Sequence, residues 1–265
     1  MLRKIVLATA LVASASFATW DYFPVLESGK GTVEGGLYYD WHHDWSQAGL
    51  SVGARYSLIQ NLELSLTSFG FQFWGETDCN GCANGGEGFK DLTLGGRYQV
   101  TPMVAAFLDL RLPIGRTEWD GNGTNAPGSD EFAMYFGAQF SMSIAEAPGL
   151  AFGTEAGLDW GFEHDNYERG LEIHIAGEVD YTIPNIGLTP YLGIKFKLQQ
   201  TEDEEEGADG KDYGKDDAGD SQFNLWLGAS YAISQQLSVK GQLIFRSGDM
   251  DGDASGIYVG CDFNF

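Results

Sequence analysis

The sequence predicts an all-β protein, a transmembrane, antiparallel, up-and-down β-barrel of twelve strands. Three observations predict it. Apolar and polar residues alternate with a period of two in segment after segment, the mark of strands whose two faces meet different surroundings. The connections alternate strictly between tight and long, as they do where a barrel carries turns at one rim and loops at the other. Aromatic residues make up 14% of the chain although mean hydropathy is −0.20, a combination foreign to helical membrane proteins and natural to a membrane barrel.

Taken in order, residues 1–18 read as a secretory signal peptide. MLRK is a basic start, IVLATALVA an apolar stretch, and SFA supplies small residues before a cut between Ala18 and Thr19. The apolar run is well short of the ~20 residues a spanning helix needs. Residues 19–30 (TWDYFPVLESGK) form a short N-terminal segment, too brief for a plug domain but able to enter a pore in part. Residues 31–265 form the barrel. Its strands are expected at 31–42, 47–58, 61–74, 89–100, 103–115, 131–144, 149–163, 169–183, 188–199, 221–233, 236–246 and 256–265. In the third, Leu62, Leu64 and Leu66 share one phase while Phe69, Phe71 and Phe73 share the other, so a β-bulge near Thr67–Ser68 is expected.

Strands running toward the tight turns end alike, with an aromatic residue two positions before another apolar one. Tyr56, Tyr98, Phe140, Tyr181 and Tyr231 occupy this place, and Phe263 repeats it before Phe265. Such rings favour a membrane–water boundary and predict an aromatic girdle on the turn side. Trp41, Trp74, Phe132, Trp160, Phe162, Phe223 and Phe245 would form a second girdle on the loop side. A soluble β-sandwich would show the same alternation, but its polar face would carry more Lys and Glu, and it has no use for matched aromatic ends.

The closing GIYVGCDFNF resembles the C-terminal signal of bacterial outer-membrane barrels through Tyr258, Gly260, Phe263 and Phe265. The resemblance implies insertion into the outer membrane by the barrel-assembly machinery, among lipid and lipopolysaccharide. The stretch LTLGGRYQVTPMVAAFLDLRLPIG (92–115) is similar to one in outer-membrane transporters linked to the meta-cleavage pathway of phenol degradation. That second resemblance implies transport and assigns no site residue.

The face opposite the apolar one carries the charges of a lumen. Its basic members are Arg55, Arg97, Arg111, Lys195, Lys197, Lys240 and Arg246. Asp109, Glu155, Asp159, Glu172, Glu178 and Asp180 are acidic, the last five forming an acidic wall on strands seven and eight. Opposed across a pore, such walls would select among small polar solutes. Paired with each other, they would fill a closed structural or surface-binding barrel. Passive passage of small solutes is the expected function, with the closed barrel as the alternative.

Other classes recede. Without the leader, 13 basic residues face 38 acidic ones, a net charge of −25 that disfavours nucleic acid. Cys79 and Cys82 (CNGC) are a candidate local disulfide in an oxidising compartment, and no further ligands near them suggest a metal. No cofactor is expected, apart from Ca²⁺ at the surface through the acidic loop 201–220 or through Asp249, Asp251 and Asp253. An enzyme is not expected: of the four histidines His174 points inward and His164 has no convincing Ser or Asn partner, which leaves His42 and His43, beside Asp40 and Asp44 at the rim of the first loop, as the open candidates.

Overall fold

Period-two alternation becomes edge-to-edge pairing in the computed structural model. It describes residues 22–43, 45–77, 86–117, 127–129, 131–163, 167–205, 217–250 and 252–265. The leader and Cys79–Cys82 lie outside these residues. Twelve long strands are present: β1 (Gly31–Trp41), β2 (Trp45–Ile59), β3 (Leu62–Thr77), β4 (Leu92–Thr101), β5 (Val104–Leu112) and β6 (Ala133–Ser143), then β7 (Leu150–Gly161), β8 (Glu172–Tyr181), β9 (Leu188–Gln199), β10 (Ser221–Ala232), β11 (Leu237–Gly248) and β12 (Ala254–Asn264). Each pairs antiparallel with its sequence neighbours, and β1 pairs with β12 from Thr32↔Asn264 to Trp41↔Ser255, so the sheet closes on itself. Closure removes the free edges that an open sheet would expose.

Local chemistry sets the strand ends. Asn61 takes a φ of 68° in the tight β2–β3 turn, a left-handed conformation that Asn tolerates better than most residues. Strand β5 stops at Leu112, before the expected 115, because Pro113 has no N–H to donate. Strand β8 starts at Glu172 and not at 169, since Tyr167–Glu168 pairs instead with Glu204–Glu205 of the acidic loop. That loop therefore begins as ordered structure folded onto its neighbour. The expected bulge is present: the β3–β4 register shifts between Leu66 and Ser68.

The resulting molecule is inverted relative to a water-soluble one. Leu37 and Val259 are each 58% exposed on the outer face, while Glu178 and Gln222 inside are 1% and 0% exposed. Tyr56, Tyr98, Tyr181 and Tyr231 stand outside near the turn rim, with Phe140 half-buried on the same face. Tyr56 stacks on Phe265 at 6.3 Å, and Phe263 on Phe265 at 6.5 Å, so the girdle runs across the β1–β12 closure.

Candidate functional site

Every charge expected in the lumen projects inward. Arg55, Arg97, Asp109, Glu155, Glu172, Glu178, Asp180 and Lys240 are buried, and Arg111, Asp159, Lys195, Lys197 and Arg246 are half-buried. Buried charges persist only when paired or hydrogen-bonded, and most of these find partners on adjacent strands. Arg97 on β4 meets Asp109 on β5 at 3.3 Å, and Arg55 on β2 meets Glu63 on β3 at 3.8 Å. Lys240 on β11 bridges Glu34 at 2.7 Å and Asp262 at 3.6 Å, while Arg246 meets Asp40 at 3.7 Å. The basic strand β9 is the direct neighbour of acidic β8, with Lys197 in register with His174. Pairing thus runs along the wall, where opposed walls across a gap were one of the two expectations.

Toward the loop rim the pairing condenses into a latch. Arg169 reaches from the ordered loop segment to Asp159 (2.7 Å), Glu131 (3.2 Å) and Glu172, and Arg111 approaches Glu131 and Asp159 at 3.6 Å each. Burial opposes the Arg169 charge, but Asp159, Glu172 and Glu131 outweigh it and hold the guanidinium firmly protonated. Burial also pushes the Glu131 carboxyl upward, against the pull of Arg169 and Arg111. His174 adds a 2.6 Å contact to Glu172. Asp159, Glu172 and His174 bring ligand-type atoms within 4.8 Å of one another, the geometry of a small metal site. Arg169 contacts both carboxylates and brings one positive charge to the cluster.

The other half of the lumen is filled by the chain itself. Residues 22–26 enter from the turn rim. Tyr22 and Phe23 pack with Ala151, Ala176, Tyr191 and Trp226, against Ile244. Tyr22 stacks on Trp226 at 5.8 Å, and Trp226 donates its indole N–H to Glu178. The segment's backbone is held as well: the Val25 N–H donates to Gln99 at 3.0 Å, and that of Leu26 to Glu63 at 2.9 Å. Gly153 makes room for it, since a Cβ there would collide with the Tyr22 carbonyl.

Above Tyr22, on the side of the latch, lies a cavity of about 210 Å³. Its cationic side chains are Arg97, Arg111 and Lys195, and its carboxylates Asp109, Glu155 and Asp159. Tyr135 donates its hydroxyl to Glu155 at 2.5 Å, and the Lys195 ammonium sits 5.0 Å from the centre of the Tyr135 ring. Thr67, Ser68 and Thr93 complete the lining at the bulge. A recess lined by three cationic and three anionic side chains and a tyrosine ring can receive one small molecule bearing both a ring and polar groups.

Sequence reasoning named the lumen charges and allowed the N-terminal segment to enter the pore in part, but missed Arg169 and Glu131 in the latch and which residues do the filling. Arg169 and Glu131 open the expected strands 169–183 and 131–144, but the observed β8 and β6 begin only at Glu172 and Ala133, so alternation does not govern either residue. Tyr22 and Phe23 carried a signal: two adjacent aromatics in a segment that would otherwise face water. Of the residues weighed for catalysis, His42 and His43 contact each other at 2.7 Å on the surface, and nearby Asp40 turns instead to Gln47 at 3.1 Å. His164, Asp251 and residues 206–216 of the acidic loop lie outside the described residues.

Residues 19–249 match the model of a protein family described as "Putative MetA-pathway of phenol degradation". No curated protein matches the chain. Among solved structures, it is similar to an outer membrane channel from Pseudomonas putida F1, with 15% identity, 94% of this chain and 100% of that one covered, and a TM-score of 0.70. The beta domain of the Bordetella autotransporter BrkA shares 12% identity over 90% of this chain and 100% of its own, with a TM-score of 0.55. The translocator domain of the autotransporter NalP from Neisseria meningitidis shares 12% over 99% and 95%, with a TM-score of 0.54. At these identities the likeness is one of fold: a closed antiparallel barrel.

Proposed function

The chain belongs to the family described as "Putative MetA-pathway of phenol degradation", and from that premise we propose that it is an outer-membrane channel for passive passage of small solutes, single-ring aromatic compounds foremost. One observation carries the reading. A closed barrel with an apolar outer belt retains a polar cavity of about 210 Å³ among paired charges and ring faces. A barrel that only had to hold its shape could have filled that space with side chains. The P. putida outer membrane channel of like fold supports the channel role, and the family description, with its mention of phenol degradation, supports the aromatic solute class.

In this reading the exposed apolar belt faces lipid, and the loop rim faces outward among lipopolysaccharide. The leader 1–18 directs export, and Tyr258, Gly260, Phe263 and Phe265 are read by the barrel-assembly machinery. Passive passage requires no cofactor and no catalytic residue. The charges lining the cavity would set which ions accompany the solute.

Planar-bilayer recording of the refolded protein under a salt gradient tests the proposal. Discrete conductance steps are expected, and Lys195→Glu is expected to shift the reversal potential toward cation selectivity. A silent, inserted barrel would return the molecule to a closed structural role.

A further inference from the structure

A solute entering the cavity is met by hydrogen-bonding groups, and those that already have partners offer it least. All three carboxylates on the lining already have donors. Asp109 accepts from Arg97 through both oxygens, at 3.3 and 3.4 Å. Glu155 accepts from the Tyr135 hydroxyl at 2.5 Å and from the Gln139 amide at 2.7 Å. Asp159 accepts from Arg169 at 2.7 Å.

Arg111 is placed differently. It lines the same cavity, and its side chain is 32% exposed. Its charge faces Glu131 and Asp159, but at 3.6 Å from each, beyond good hydrogen-bond length. Both of those carboxylates are bonded by Arg169 instead, Glu131 at 3.2 Å through each oxygen. The Arg111 Nε and Nη2 are buried and donate no hydrogen bond among the described residues. A buried donor without an acceptor is a standing cost, which a suitable ligand removes. Lys195 puts a second cation on the lining, 5.0 Å from the centre of the Tyr135 ring.

What the cavity lacks is therefore an acceptor, and one carrying negative charge. A guanidinium fork matches a carboxylate in both shape and sign. Tyr22 and Tyr135 supply ring surface on the same lining. The volume of about 210 Å³ lies below the roughly 300 Å³ at which pockets for drug-sized ligands begin, so one ring fits. A phenol answers the donors less well. Its hydroxyl, like that of tyrosine, keeps its proton up to about pH 10 and arrives neutral. An aromatic acid arrives ionised, with two oxygens that only accept.

We propose that the cavity is a binding site for a single-ring aromatic carboxylate, with Arg111 taking the carboxylate, Lys195 adding its charge, and the ring lying against Tyr135 and Tyr22. The proposal rests on the channel reading for the ring, and on the cavity's own donors for the charge. Arg169 keeps Glu131 and Asp159 bonded when Arg111 turns to the ligand, so the latch stays closed while the site fills. Arg111 reads the solute, and Arg169 holds the wall.

The test is equilibrium dialysis of radiolabelled benzoate and phenol against the refolded protein in detergent micelles, with protein-free micelles as the blank. Heat-dependent gel migration reports that each variant is a folded barrel. Saturable benzoate binding at one site per chain is expected, with phenol weaker by about tenfold. Arg111→Gln should weaken benzoate by about tenfold and phenol by less than about twofold. Arg111→Lys keeps the charge without the fork and should weaken benzoate by about threefold; should Arg111→Gln fail the folding control, this variant decides. Phenol binding as tightly as benzoate overturns the proposal, and so does benzoate binding indifferent to both substitutions. Equal losses for benzoate and phenol overturn it too, since they mark a cavity that has collapsed. Bilayer conductance of the same preparation reads the channel separately. A silent barrel that still takes benzoate through Arg111 ends the channel reading and upholds the site. A conducting barrel with no saturable benzoate binding ends the site and leaves the channel.

Discussion

The two halves of the lumen are built on the same strands yet held by different chemistry. The turn-side half is packed like an ordinary protein core, with Tyr22, Phe23, Tyr191 and Trp226 in contact and Glu178 satisfied by an indole N–H. The loop-side half is an ionic network around Arg169 and Arg111, with open space beside it. Barrel alternation dictates only that polar or small residues point inward. What then fills the inside is decided by side-chain size: Ala151, Gly153 and Ala176 leave a hollow that an aromatic segment can enter, whereas Arg111 and Arg169 hold Asp159 and Glu131 at the wall. A packed half resists displacement, and an ionic half responds to charge.

Breaking the packed half should have the largest effect. Trp226→Ala removes the ring on which Tyr22 stacks and the indole N–H that donates to Glu178. The cost is expected to be about 3–5 kcal/mol by urea unfolding in detergent, in the range for deleting a buried aromatic. Released, residues 22–26 should leave the lumen, and unit conductance should rise several-fold. An unchanged conductance would mean that the segment does not limit ion flow.

Next comes the ionic half. Arg169→Ala leaves Glu131, Asp159 and Glu172 sharing Arg111 as their nearest guanidinium, a loss of roughly 3 kcal/mol if the network behaves as a buried ion pair with one partner deleted. The same variant should become more cation-selective in bilayers while its conductance changes little. A large conductance change would show that the two halves are coupled. The smallest effect is expected outside both: Tyr56→Ala removes a stack on Phe265 and should cost about 1 kcal/mol with no change in selectivity.

How much of this the sequence discloses follows the same divide. Strand parity is legible wherever alternation holds, and it places Arg97, Asp109, Glu155 and Lys240 inside. The bulge is legible too, because Leu66 and Phe69 cannot share a face without an extra residue. Pairing is another matter. Up-and-down order already sets β9 beside β8, but which charge meets which depends on the register between them, and a charge facing inward does not announce its partner. Arg169 sits one step past the reach of parity, in a segment whose partner is the acidic loop some thirty-five residues away. The filling by Tyr22 and Phe23 required knowing the size of the hollow, which is a sum over Ala151, Gly153, Ala176 and Gly193 on three different strands.

The closure of β1 on β12 sets the order in which such a molecule can be assembled. Gly31 and Phe265 exchange backbone hydrogen bonds of 3.0 and 2.9 Å, the union most distant in sequence of any in the ring. Every other seam can zip as a hairpin while its strands are still arriving; this one waits for all twelve. Residues 22–26 run directly into β1, so they must already be seated when the ring shuts, or thread in afterwards from the rim. Assembly is therefore a matter of timing, and a contact between ends this far apart makes the last step the slow one.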